Sequence, residues 1–138
     1  MKMAIAAVTT VLGFAPAAQA ADLTLALSTR GAGGTIAVAI YRDAEAFRRG
    51  QAPVATRVVP RSGAVTSVTI PGLAPGRYAV AAFHDTDGNG ELTLWPIGLP
   101  REAYGFSNNA RGRFGPPAFA AAAFDLPAAG ARQAFTLR

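Results

Sequence analysis

The chain contains no cysteine, a single lysine, a single histidine and a single tryptophan. Without cysteine it has neither a disulfide framework nor an anchor site for a lipidated N-terminus, so its stability must come from an apolar core. One histidine and no thiol cannot supply the three or four nitrogen and sulfur ligands that zinc takes. No apolar run beyond the first twenty residues is long enough to cross a bilayer as a helix. Nothing reads as the long amphipathic helix of a βαβ unit, and no internal repeat is evident.

What is present begins with arginine. Lys2 apart, the basic excess behind the formal net charge of +5 is arginine, scattered from Arg30 to Arg138. Nucleic-acid binders concentrate base on one face and interleave aromatics, and only Arg111-Gly112-Arg113-Phe114 has that character. No nucleic-acid partner is therefore expected. The arginines read as a solvated basic surface with a weak attraction to anionic envelope lipids or polysaccharides.

Residues 1–20 form a secretory signal peptide by pattern: Lys2, an apolar stretch from Met3 to Phe14, then Ala18-Gln19-Ala20 before a cut at Ala21. This places residues 21–138, a single domain, in the periplasm or outside the cell. At 138 residues overall the chain has room for one core.

Leu23 to Leu27 alternates with period two and reads as a strand, as does Thr35 to Tyr41. With Gly31-Ala32-Gly33-Gly34 between them, the two are expected to form a hairpin. Arg42 to Gln51 suits a helical turn anchored by Phe47 and closed by Gly50. Further strands are expected over Val54–Val59, Ala64–Ile70, Arg77–His84 and Arg132–Leu137, with one helical turn over Ala118–Phe124. Leu73-Ala74-Pro75-Gly76-Arg77-Tyr78 resembles the corner at which a tyrosine hydroxyl bonds back to the preceding turn in immunoglobulin-like sandwiches. The expected fold is all-β: an immunoglobulin-like or transthyretin-like antiparallel β-sandwich of about seven strands.

Most of the side chains suited to chemistry fall between Tyr78 and Arg111. Asp85-Thr86-Asp87-Gly88-Asn89-Gly90 opens like a calcium loop: alternate oxygen-bearing residues, with glycine at the sharp sixth position. Asp85, Asp87, Asn89 and the Glu91 carbonyl are the candidate calcium ligands. The twelfth position is Pro96 where an EF-hand has glutamate, and the flanks read as strands, so an EF-hand is excluded. Completion by Glu102, Asn108 or Asn109 and a plain Asx-rich turn both remain open. His84 precedes this loop, and Tyr104, Ser107, Asn108, Asn109 and Arg111 follow in one amide-rich stretch. Together they form a candidate binding surface for envelope polysaccharide, peptide or protein, or else a self-packed connection. A hydrolase built from His84 with Asp85 or Ser107 is the alternative, though Ser107 lacks a nucleophile elbow.

Three blocks carry a resemblance: Gly72-Leu73-Ala74-Pro75-Gly76-Arg77-Tyr78-Ala79-Val80, Phe83-His84-Asp85-Thr86-Asp87-Gly88-Asn89-Gly90 and Tyr104 to Arg111. With Gly115-Pro116-Pro117-Ala118-Phe119 and Ala122-Ala123-Phe124 they resemble the bacterial DUF2141 family. The resemblance implies a small exported protein of unknown function. Members often carry Lys-Leu-Asp after the loop glycine, where this chain has Glu91-Leu92-Thr93 and so lacks one potential ligand. The expectation is a non-catalytic binding or structural module of the envelope, with the 85–91 loop and the 104–111 stretch sharing one end.

Overall fold

In a computed structural model, residues 20–86, 88, 102–113 and 115–138 are described. They build a sandwich of two sheets. The three-stranded sheet runs β4 (Val65–Leu73), β1 (Ala21–Ser28), β8 (Ala131–Thr136). The five-stranded sheet runs β3 (Ala55–Pro60), β2 (Thr35–Tyr41), β5 (Gly76–Asp85), β6 (Tyr104–Phe106), with β7 (Phe124–Leu126) also on β5. Alternation fixes which side chains turn inward. Leu23, Leu25 and Leu27 from one sheet and Ile36, Val38 and Ile40 from the other meet in one core with Val68, Ile70, Val80 and Leu126.

The expected β1–β2 hairpin does not form. β1 pairs antiparallel with β4 and parallel with β8, while β2 pairs with β3 and β5. Both strands carry a full apolar face, and the sandwich buries these faces against each other across the layer gap of about 10 Å instead of side by side. The link through Thr29–Gly34 makes that crossing. The parallel β1–β8 ladder, Leu23↔Ala131 to Ser28↔Thr136, is an addition to the antiparallel pattern. At the far side of the sandwich Tyr104 and Arg138 exchange two backbone hydrogen bonds, of 3.0 and 2.9 Å, and tie β6 to the strand end after β8.

The tyrosine corner is present. Tyr78, 2 % exposed, donates its hydroxyl to the Ala74 carbonyl at 2.5 Å and so fastens β5 to the turn before it. Residues on the other face of β5, Ala79 and Ala81, are small, and so is Ala39 of β2. That outer face admits a third layer of two short helices, α1 (Ala44–Arg49) and α2 (Phe119–Ala122). α1 starts where the Asp43 carboxylate accepts from the Ala46 N–H at 2.9 Å. It ends at Gly50, whose left-handed backbone (φ 62°) suits a residue without Cβ. Phe47 is buried in an edge-to-face cluster with Tyr41, Phe106 and Phe119, with ring centroids 5.6 to 5.9 Å apart. Phe119 joins this outer cluster, while Phe124 packs on the main core.

Burial in the outer layer pushes the Tyr41 phenol above its ordinary value. A raised acid pKa leaves folding stability intact below the unfolded tyrosine pKa, near 10, and erodes it as pH rises through the folded value. Phenolate absorbance at 295 nm should therefore titrate Tyr41 late, and its step should vanish in Tyr41→Phe. A step at the free-tyrosine value would contradict its burial.

Candidate functional site at the loop end

Three connections meet at one end of the sandwich: Thr29–Gly34, Arg61–Ala64 and the start of the segment after β5. Cross-strand register brings Thr35 opposite both Pro60 and Asp85, so β2, β3 and β5 finish their ladders together there. Arg61 locks the first two connections. Its Nε donates to the Thr29 hydroxyl at 2.7 Å, and its backbone N–H to the Gly34 carbonyl at 3.1 Å.

His84 and Asp85 lie at the last turn of β5 and point to opposite faces of the sheet. His84 faces the sandwich interior and is 1 % exposed. Its Nε2 lies 2.6 Å from the Gly33 carbonyl. A carbonyl only accepts, so Nε2 carries the proton and the tautomer is set by the main chain. The glycine run is moulded around this end. A methyl built on Gly31 would stand 3.2 Å from the imidazole, and one on Gly34 (φ +70°) would overlap the Asp85 carbonyl. The sequence marked this run only as a turn; its glycines are there for close approach as well as for bending.

Asp85 is also buried, 2 % exposed, and its Oδ1 accepts from the Gly88 N–H at 2.8 Å. The first and fourth positions of the acidic loop are thus folded onto each other. Asp87, Asn89 and Glu91, the other expected calcium ligands, lie outside the described residues. Among the described residues no three His, Asp or Glu side chains cluster as a metal centre. The β5–β6 register (Phe83↔Tyr104), continued by the His84 N–H bond to the Ala103 carbonyl (2.8 Å), brings Glu102 opposite Asp85. Glu102 is buried as well.

The amide-rich stretch divides. Tyr104 and Phe106 belong to β6, and their rings meet edge to face at 5.8 Å. The Arg111 guanidinium stacks over Tyr104 at 5.2 Å. Ser107, Asn108 and Asn109 form a 3₁₀ turn in which both asparagines take positive φ, 59° and 52°. Their side chains hold the main chain. Ser107 Oγ accepts from Val80 N–H at 2.9 Å and donates to the Ala122 carbonyl at 2.5 Å. Asn108 Nδ2 donates to the Ala123 and Ala121 carbonyls, at 2.9 and 3.3 Å, and its Oδ1 accepts from Gln133. Asn109 Oδ1 accepts from Thr136 N–H at 2.9 Å. Gln133 was not visible as a partner from sequence, since a lone glutamine in a strand carries no spacing signal.

The amide-rich stretch runs away from this end: Tyr104 stands opposite Phe83, next to His84, and the residues after it lie further down β5. Ser107 sits opposite Val80, four residues back along β5 from His84. At a strand rise of roughly 3.3 Å per residue that separates them by about 13 Å. Neither His84–Ser107 nor His84–Asp85 is assembled as a catalytic pair: the first two residues are bonded to different stretches of backbone, and the last two point to opposite faces.

The fold and this end define a two-sheet β-sandwich with a helical outer layer and a loop-built tip. The family described as an uncharacterized protein conserved in bacteria, DUF2141, matches residues 28–134, and the chain belongs to that family. Neither the curated proteins nor the solved structures offer a match.

Proposed function

We propose that the protein is an exported, non-catalytic binding module of the cell envelope whose working end is the tip around Asp85. The single observation that carries this reading is how His84 and Ser107, the two groups a hydrolase needs, are used. Each is buried, closed on backbone partners and remote from the other. Such groups hold a shape; they do not attack or relay protons. Export to the periplasm or medium is supported by the pattern of residues 1–20, and the first strand begins at Ala21, where the expected cut falls. The binding surface follows the same reading: Tyr104 and Arg111 present a stacked aromatic and guanidinium to an envelope polysaccharide, peptide or protein, on the scaffold that His84, Ser107, Asn108 and Asn109 hold.

Calcium belongs to this proposal as the ion that rigidifies the tip, on Asp85, Asp87, Asn89 and the Glu91 carbonyl. The Asp85 Oδ1 contact with Gly88 N–H supports it, because it turns the loop back toward its first candidate ligand. A ligand that binds only the folded state stabilises it by about 2.7 kcal/mol at one hundred times its dissociation constant. Thermal melts with millimolar calcium should accordingly rise by several degrees over melts with chelator, and Asp87→Ala should erase the difference. Identical melts in calcium and chelator would reduce the loop to a turn.

A further inference from the structure

The edges of the two sheets are finished differently. On β3, the Arg61 N–H bond to the Gly34 carbonyl fixes the phase of the ladder, so the backbone groups of Thr56, Val58 and Pro60 face outward. Pro60 has no N–H to offer there, and the Thr56 carbonyl already accepts from the Arg57 guanidinium at 2.8 Å. On β8, the Thr136 N–H is taken by Asn109, and the Gln133 side chain is bonded to Asn108. β6 is closed by its exchange with Arg138. Prolines, charges and covering turns of this kind are how natural sheets blunt an open edge. β4 carries none of them between Val65 and Ile70. The Thr29 N–H bond to the Ala64 carbonyl and the register Leu23↔Ile70 to Ser28↔Val65 turn the backbone of Thr66, Val68 and Ile70 toward β1. The N–H and C=O groups of Val65, Ser67 and Thr69 therefore point away from the sheet. Their side chains are exposed, no residue of β4 is charged, and β4 ends its sheet among the described residues.

We infer that this edge pairs with the same edge of a second copy of the chain, antiparallel about a two-fold axis at Ser67. The register Val65↔Thr69, Ser67↔Ser67, Thr69↔Val65 uses all three outward-facing residues of both strands, each as donor and acceptor. Moving it one way sets Val65 against Pro71, which has no N–H. Moving it the other way sets Thr69 against Gly63, before the strand begins. Charge selects the partner. A formal net charge of +5 sets two copies against each other except where charge is absent, and Val65–Leu73 is such a stretch. Behind it on the outer face, Ser28 and Ala26 of β1 stand beside Val65 and Ser67, so the seam stays small and uncharged through the neighbouring strand. The contact is self-complementary, as a closed two-fold dimer requires. It joins two three-stranded sheets into one of six, in the order β8-β1-β4-β4-β1-β8. None of the residues assigned to the tip takes part, so the two readings stand or fall separately.

The test is sedimentation equilibrium of the purified protein over a concentration series. A dimer is expected to form as concentration rises. Ser67→Lys sets two ammonium groups against each other across the axis and should weaken association at least about tenfold. Because the chain has no cysteine, single cysteines report the register cleanly. In the dimer Ser67 and its counterpart have Cα atoms about 5.5 Å apart, within disulfide reach. Thr69 and its counterpart stand about 13 Å apart along the strands. Ser67→Cys should therefore cross-link to itself on mild oxidation, and Thr69→Cys should not, while Thr69→Cys mixed with Val65→Cys should. Thr56→Cys on the β3 edge should stay uncross-linked. Thermal melts check that every variant is folded. A monomer at all concentrations would overturn the inference, whether the edge then takes another chain or none. So would a dimer indifferent to Ser67→Lys, or one cross-linked as readily through Thr56→Cys as through Ser67→Cys.

Discussion

Phe47→Ala is expected to cost about 3–5 kcal/mol of folding free energy, the range for removing a buried aromatic ring from a packed site. The ring is 3 % exposed and edge to face with Tyr41, Phe106 and Phe119 at once, so three aromatic contacts end together. α1 spans only Ala44–Arg49, far below the length at which an isolated helix holds in water. Its cap at Asp43 and its ion pairs are solvent-exposed, where water and salt screen them, so they do not hold the helix in place. Phe47 is therefore the residue that keeps the outer layer on the sheet. Urea unfolding monitored by far-UV circular dichroism should show the loss as a lower midpoint at an unchanged slope. Hydrogen exchange should speed up in α2 as well as α1, because Phe119 loses its partner. A loss below about 1 kcal/mol would mean that the helices are held by something other than this ring.

The sandwich was legible because its strands alternate. Leu23-Leu25-Leu27 and Ile36-Val38-Ile40 each announce a buried face, and Pro75-Gly76 before Tyr78 announces a corner. What period two does not encode is the partner. The same six side chains satisfy a hairpin or two facing sheets equally well, and the choice was made by core closure and by the parallel ladder to β8. β7 escaped notice for a different reason: Phe124-Asp125-Leu126 is too short to show a period and is cut off by Pro127. At the site, the acidic loop could be read for ion chemistry, but the glycines around His84 could not. A glycine required for close approach looks in sequence like one required for a turn. Ser107 carried the largest ambiguity. A serine that ties a strand to a helix through their backbones and one that attacks a carbonyl are the same letter, and only the roughly 13 Å from His84 separates them.

Ser107→Ala turns that distinction into a measurement. The serine hydroxyl is fully buried and satisfies Val80 N–H and the Ala122 carbonyl. The second of these is one of the last carbonyls of α2, which have no partner inside so short a helix. Removing the hydroxyl strands a donor and an acceptor in a dry site, at about 1–3 kcal/mol each, so about 2–4 kcal/mol is expected after some relaxation. Asn109→Ala, which releases Thr136 N–H at an exposed position and sets alanine at φ 52°, should cost about 1–2 kcal/mol and serves as the graded comparison. A nucleophile behaves in the opposite way: its removal abolishes turnover and leaves stability unchanged or improved, since active-site groups are placed at the expense of packing. Denaturant unfolding of Ser107→Ala, run beside hydrolysis of a panel of activated esters, decides between them. A destabilised protein with the same negligible ester turnover as the parent identifies a staple between β5 and α2. Full stability with loss of a measurable activity would restore the hydrolase reading and place a reaction at Ser107.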